Sequence, residues 1–165
     1  MNNIIYFPYY TRVIFSIGSL WMLIPIYYSY NNNNVIFNFN LIFNMFFSIL
    51  YWVFNNHNNL FNYLDKFFST STLTIIIYNT DNYIMYLFIP FLYFFIYNGR
   101  KLMLNNKYEE HLIIHLIFRY IAFWQCCIYL KHYNFHIFKI YTNIYILSNY
   151  ILYKIFKNKN IYLIK

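Results

Sequence analysis

The sequence predicts an all-α protein, a polytopic transmembrane bundle of about five spans. Three observations carry this expectation. Hydrophobic residues make up 61% of the chain and charged residues only 10%, against about 25% charged in an ordinary globular domain. The apolar residues gather in runs close to the roughly 20 residues that a helix needs to cross a hydrocarbon core. The runs are separated by short intervals rich in Asn and Lys. Residues 1–165 then form one integral membrane domain, with spans expected at 13–30, 35–54, 75–97, 112–130 and 135–156.

The first run, VIFSIGSLWMLIPIYYSY, is centred on Trp21. Pro25 should kink it, because proline lacks the N–H that closes a helical turn. Tyr27, Tyr28 and Tyr30 read as an interfacial belt. Asn31 to Asn34 is a polar turn so short that the second run, Val35 to Phe54, must return antiparallel. Within that run Asn40 and Asn44 share a face at i,i+4. Amides in such a place bond to a neighbouring helix, worth about 1 kcal/mol or less each. Residues 55–74 form a polar interval with an interfacial character. A short helix is expected inside it, since Leu60, Phe61, Leu64, Phe67 and Phe68 recur at helical spacing beside Asp65 and Lys66. His57 lies there among asparagines and reads as solvated.

The third span is interrupted by Asn79, Thr80, Asp81 and Asn82, which read as a loop, and Pro90 should kink the run from Tyr83 to Tyr97. Asn98 to Glu110 is the main charged loop. The fourth run, HLIIHLIFRYIAFWQCCIYL, is span-length yet carries Arg119 at its midpoint. An ion in hydrocarbon is costly, so that arginine must face a partner, a polar site or water. The few acids of the chain lie far from it in sequence, and the expectation is that a group outside the chain answers it. After a tight turn at Lys131 to Asn134 comes the fifth run. Residues 157–165 are a basic tail.

Two polar stripes stand out. His111, His115 and Arg119 follow at i, i+4, i+8, and His132, His136 and Lys139 at i, i+4, i+7 on the next helix. If those faces met, protonatable groups inside a membrane could relay protons or hold a quinone head group. Depth argues for the plainer reading. His132, His136 and Lys139 lie close enough to a helix start to snorkel toward the interface. The intramembrane polar candidates are therefore Arg119, His115, Lys139, His136, Asn40 and Asn44, with an assembly anchor favoured over a proton path. A haem between His115 and His136 is disfavoured, because no Gly flanks either residue to admit a macrocycle. The adjacent Cys126 and Cys127 lack the spacing of a zinc site or disulfide framework and read as small buried side chains. No catalytic residue, metal or cofactor is expected. The sequence holds no Gly-rich phosphate loop and no triad, so the chain is not expected to act as an enzyme alone.

The net charge of +8 comes from cations scattered beside apolar runs, which points to membrane topology and not to nucleic acid. With five spans, three cations fall on the N-terminal side and seven on the C-terminal side. The C-terminus is then expected on the side of synthesis. MNNIIYFPYYTR shows neither a secretory n-region nor a transit peptide, which suits synthesis within an organelle.

The chain holds 28 Ile, 24 Asn, 22 Tyr and 20 Phe but one Ala and two Gly. The abundant residues are those with A- and T-rich codons. In composition and hydropathy the whole chain resembles the AT-rich reading frames of ciliate mitochondrial genomes, the Ymf class. The resemblance implies a mitochondrial inner-membrane, multi-pass protein, a divergent subunit of a respiratory complex whose partners are its other subunits and lipids. Among these complexes NADH:ubiquinone oxidoreductase (complex I), which couples electron transport to proton translocation, has a smaller subunit of similar length and span number. The Gly-rich third helix of that subunit has no counterpart in Tyr83 to Tyr97, so a lineage-specific accessory subunit stays open beside a divergent core one. Membrane subunits of cytochrome c oxidase, of a quinol-linked complex or of ATP synthase are alternatives. An organellar ribosomal protein is a further one, if the runs were strands.

Overall fold

The computed structural model describes residues 7–54, 60–79, 84–131 and 135–158. His57, Asp81, His132 and most of the basic tail lie outside them. The described residues form six helices and no strand: α1 (Tyr9–Asn31), α2 (Val35–Phe54), α3 (Leu60–Tyr78), α4 (Ile84–Leu104), α5 (Tyr108–Tyr129) and α6 (Phe135–Asn158). Three of them, α1, α2 and α5, are long and apolar enough to cross a membrane.

Local sequence accounts for most helix ends. Pro8 precedes α1, and the Thr11 hydroxyl donates back to its carbonyl at 2.6 Å. Within α1, Leu20–Met22 tighten into a 3₁₀ turn. Pro25 explains it, for it offers no N–H to the carbonyl four residues back. At the next turn Asn33 adopts φ 54°, a left-handed conformation that asparagine tolerates better than most side chains. Asn34 then caps α2, its side-chain oxygen accepting from the Phe37 N–H at 3.3 Å. The α4–α5 connection is shorter than the charged loop expected over Asn98 to Glu110. Arg100 and Lys101 belong to the last turns of α4, and Glu109 and Glu110 to the first turn of α5. Cations at a helix C-terminus and acids at an N-terminus complement the helix dipole, so charge extends these helices instead of ending them.

The expected third span, 75–97, is not one helix. Residues 75–78 close α3, and Ile84–Leu104 is a separate helix. The short helix expected within 55–74 is longer than expected, since α3 runs 19 residues from Leu60. The Ser/Thr stretch that looks loop-like stays helical, with its hydroxyls donating to carbonyls one turn back. Thr72 bonds the Phe68 carbonyl at 2.8 Å and Thr74 the Thr70 carbonyl at 2.9 Å.

Six helices joined by short connections alternate in direction. Arg12 bonds the Val53 carbonyl at 3.3 Å, and Asn40 bonds Thr72, so α1, α2 and α3 run antiparallel in turn. α5 lies parallel to α1, with Phe7 on Tyr108 at one end and Trp21 on Phe123 further along. α4 packs on α5, where Gly99 admits His111, whose Nδ1 lies 2.9 Å from the Gly99 carbonyl. α6 lies on α1 and reaches α5 through Tyr145, whose hydroxyl donates to the Leu116 carbonyl at 2.9 Å. An even number of helices puts both described chain ends at one end of the bundle. That end carries Arg12, Lys66, Arg100, Lys101, Lys107, Lys154 and Lys157; the opposite end carries Lys131 and Lys139. Lys157 reaches Glu109 at 2.7 Å and ties the end of α6 to the start of α5. This contact holds the Lys157 ammonium above its usual pKa.

Polarity is distributed as a bilayer would require. Large apolar side chains face outward, Ile36 at 77% and Tyr93 at 75% exposure among them, while Ser19, Asn40, Asn44, Ser48, Thr72 and Gln125 are buried. In water the first set would be costly to expose and the second costly to bury.

Candidate functional site

Three polar stripes converge where α1, α2, α3 and α5 meet. On α5 the stripe is His111, His115 and Arg119. On α2 it is Asn40, Asn44 and Ser48, at i, i+4, i+8. On α3 it is Asp65, Ser69 and Thr72, at i, i+4, i+7. These spacings stack side chains one above another on a helix. Gly18 on α1 faces the guanidinium, and a Cβ there would lie in ordinary contact at 3.5 Å from Arg119 Nη1.

Arg119 is the hub. Its Nη1 donates to the Phe15 carbonyl and, at 2.8 Å, to Ser19 Oγ. Its Nη2 donates to Ser48 Oγ at 2.8 Å, and its Nε to His115 Nε2 at 3.1 Å. Four of the five guanidinium hydrogens are thereby placed. The ring of Phe15 lies 5.5 Å from the guanidinium carbon and that of Trp52 5.8 Å, within reach of a cation–π attraction. Asp65 borders the same cavity beside Ser48, where the hydroxyl and the Arg119 charge both act on its carboxyl group. The result is a relay of three groups in order, guanidinium, Ser48 and carboxyl, with the two charged ends not in direct contact.

Arg119 is therefore met in part from within the chain, by the Phe15 carbonyl, Ser19, Ser48 and His115. Asp65 is 54 residues away in sequence but reaches the same site, because α3 packs back along α2. A guanidinium can only donate, so His115 Nε2 must accept and the ring is neutral with its proton on Nδ1. His115 is wedged between Phe15 and Trp52, at ring separations of 4.4 and 5.3 Å.

The other sequence candidates fall elsewhere. Asn40 and Asn44 staple α2 to α3. Asn40 donates to Thr72 Oγ1 at 2.6 Å and to the Phe68 carbonyl at 3.2 Å; Asn44 accepts from Ser69 at 2.9 Å. His136 and Lys139 are exposed on α6, so the two histidine-bearing faces do not meet and no haem site forms between His115 and His136. Cys126 and Cys127 are buried free thiols. Among the described residues no three His, Cys, Asp or Glu side chains are grouped to hold a metal.

Sequence reasoning missed Asp65, Ser48, Ser19 and Gln125 as members of the site. The signal for two of them was present. Ser48 continues the Asn40–Asn44 step, and Asp65 begins a step that Ser69 and Thr72 continue. Gln125 and Ser19 carry no such mark.

The cluster opens onto a cavity of about 200 Å³, lined by Asp65, Ser69 and Thr72 from α3, Asn44 and Ser48 from α2, and Arg119 and Gln125 from α5. Chemically the site brings a guanidinium, a hydrogen-bond-accepting imidazole and one carboxyl group around the same cavity. No protein-family model matches the chain, and no curated protein or solved structure matches it.

Proposed function

We propose that this chain is an integral membrane subunit of a mitochondrial respiratory complex, in the first instance NADH:ubiquinone oxidoreductase, contributing to proton translocation coupled to electron transport. The observation that carries the reading is the Arg119–Ser48–Asp65 relay, held inside a bundle whose outward surface is apolar. Ionisable residues within membrane helices are expensive and mark ion paths or assembly contacts. Here Arg119 has most of its hydrogen bonds within the chain and an acid on the same cavity, so the internal proton-handling role gains on the external anchor. Contacts with neighbouring subunits then fall to the exposed apolar faces, α4 and α6 above all, each packed mainly against a single other helix. If all six helices cross, the cation-rich end faces the matrix by the positive-inside rule, with the start of α1 and the end of α6 on that side.

The test is purification through an affinity tag in mild detergent from the native organelle, followed by identification of the companions. Subunits of NADH:ubiquinone oxidoreductase are the expected result. Cytochrome c oxidase, quinol-linked or ATP synthase subunits would move the chain to another inner-membrane assembly, and ribosomal proteins would overturn the respiratory reading. Material that stays monodisperse in water without detergent would overturn the membrane reading.

A further inference from the structure

The cavity beside Arg119 is elongated along the bundle. Asp65 borders it on α3, and Ile76, eleven residues further along the same helix, borders it too, a span of about 16 Å at the helical rise. That is roughly half the thickness of a hydrocarbon core. Hydroxyls and amides punctuate a mostly apolar lining along this length: Ser69 and Thr72 on one wall, Asn44 and Ser48 on the other. At the far end stands Gln125, 2% exposed, whose Nε2 is buried with no hydrogen-bond partner. A buried amide N–H left unmade costs about 1–3 kcal/mol, and bulk water cannot reach it through lipid. Purely apolar cavities stay dry, whereas a roomy space with two or more polar groups facing it holds water that completes such bonds. At about 30 Å³ of liquid per molecule, this space has room for several waters.

At the near end Asp65 is half-buried and lies five residues into α3, about 8 Å from its start. Lys66 beside it is exposed. The charged or titratable groups around Asp65 are Arg119 and His115 on α5, Tyr51 on α2 and Lys66 on α3, with Tyr145 of α6 on the same cavity. Ser19 on α1 and Leu92 and Ile96 on α4 bring no charge. Because Ser48 stands between Asp65 and Arg119, the pair is relayed rather than fused, and the carboxylate keeps a face to the cavity.

We propose that this cavity is a hydrated proton site: water fills it from Asp65 to Gln125, and Asp65 takes up and releases the proton. In the step a proton passes from hydronium to a carboxylate oxygen of Asp65, leaving water. One O–H bond forms as another breaks, and the Arg119–Asp65 pair goes from neutral to a net single positive charge. Arg119 stays protonated throughout, and Ser48 turns its hydroxyl hydrogen away from the acid. The inference rests on the membrane reading, not on which complex the chain joins.

The experiment is infrared spectroscopy of the full chain in lipid nanodiscs, with two native reporters. Cys126 lines the far end of the cavity, and in a Cys127→Ala background its S–H band reports water there. Transfer to D₂O should convert it to S–D within minutes while the amide backbone of the helices stays unexchanged. Ser69→Leu, which fills the middle of the cavity, should slow that conversion by about tenfold or more. Acidification should bring up a carboxylic C=O band that Asp65→Asn abolishes and Asp65→Glu shifts in frequency. An S–H band unchanged after hours would mean a dry cavity and overturn the proposal. So would the lack of any titrating carboxyl band that moves with Asp65→Glu. Neither outcome depends on the companions found in the purification.

Discussion

Replacing Arg119 by leucine tests the relay most directly. The substitution removes the donor to Ser19, Ser48, His115 and the Phe15 carbonyl. Ser19 still reaches the Phe15 carbonyl at 2.9 Å, and Ser48 still has Asp65. Two groups lose more: the His115 Nε2 acceptor, and the Asp65 carboxylate, left without a cation. Breaking one partner of a buried pair costs about 3–5 kcal/mol. Arg119 and Asp65 are each half-buried, so the lower end applies, about 3 kcal/mol. Adding Asp65→Asn removes the stranded charge and should return about 2 kcal/mol of that loss, a coupling within the range of contacting pairs. The assay is unfolding of the single and double variants in mixed micelles by added denaturing detergent, followed by circular dichroism. If Arg119→Leu costs under about 1 kcal/mol, or if the two substitutions simply add, Asp65 is not the counterion and the relay is refuted.

Ser48→Ala interrupts the relay while sparing both charges, and should cost about 2 kcal/mol in the same unfolding assay. Thr72→Val removes the shared partner of Asn40 and Asn44 and should cost about 1 kcal/mol, with Asn40→Leu adding little on top. At Gly18 an alanine Cβ would sit at ordinary contact distance from Arg119, so Gly18→Ala should be neutral or stabilise the helix by up to about 1 kcal/mol. Gly18→Leu should displace the guanidinium and cost about as much as Arg119→Leu, about 3 kcal/mol. The Lys157–Glu109 contact raises the lysine pKa. The lysine's contribution is therefore fully present below the ordinary ammonium value of about 10.4 and is lost only as pH climbs past the raised one. Lys157→Met should accordingly destabilise the bundle by the same amount at pH 7 and pH 9, measured by thermal unfolding.

Residue order alone makes the chain helical and greasy, places most of its turns, and singles out one exceptional cation. Run length, the asparagine turns and Pro25 act within a few residues, so Val35–Phe54 and the 3₁₀ turn ahead of Pro25 arise from local chemistry. The Arg119 problem is likewise visible from one run, since a charge amid apolar neighbours demands an answer wherever that answer lies. What that answer is depends on how the helices pack. Residues 60–78 carry Asp, Lys and a Ser/Thr tract, and by composition they belong at the membrane surface. They form a full helix because α2 offers Asn40 and Asn44 to their polar side. That packing carries Asp65 to Ser48 and turns α5's face toward α1 and α2, away from His136 and Lys139. Helical periodicity shows that a face exists, but a face is silent about which other face it meets. That choice is made by the fit of side chains far apart in the chain.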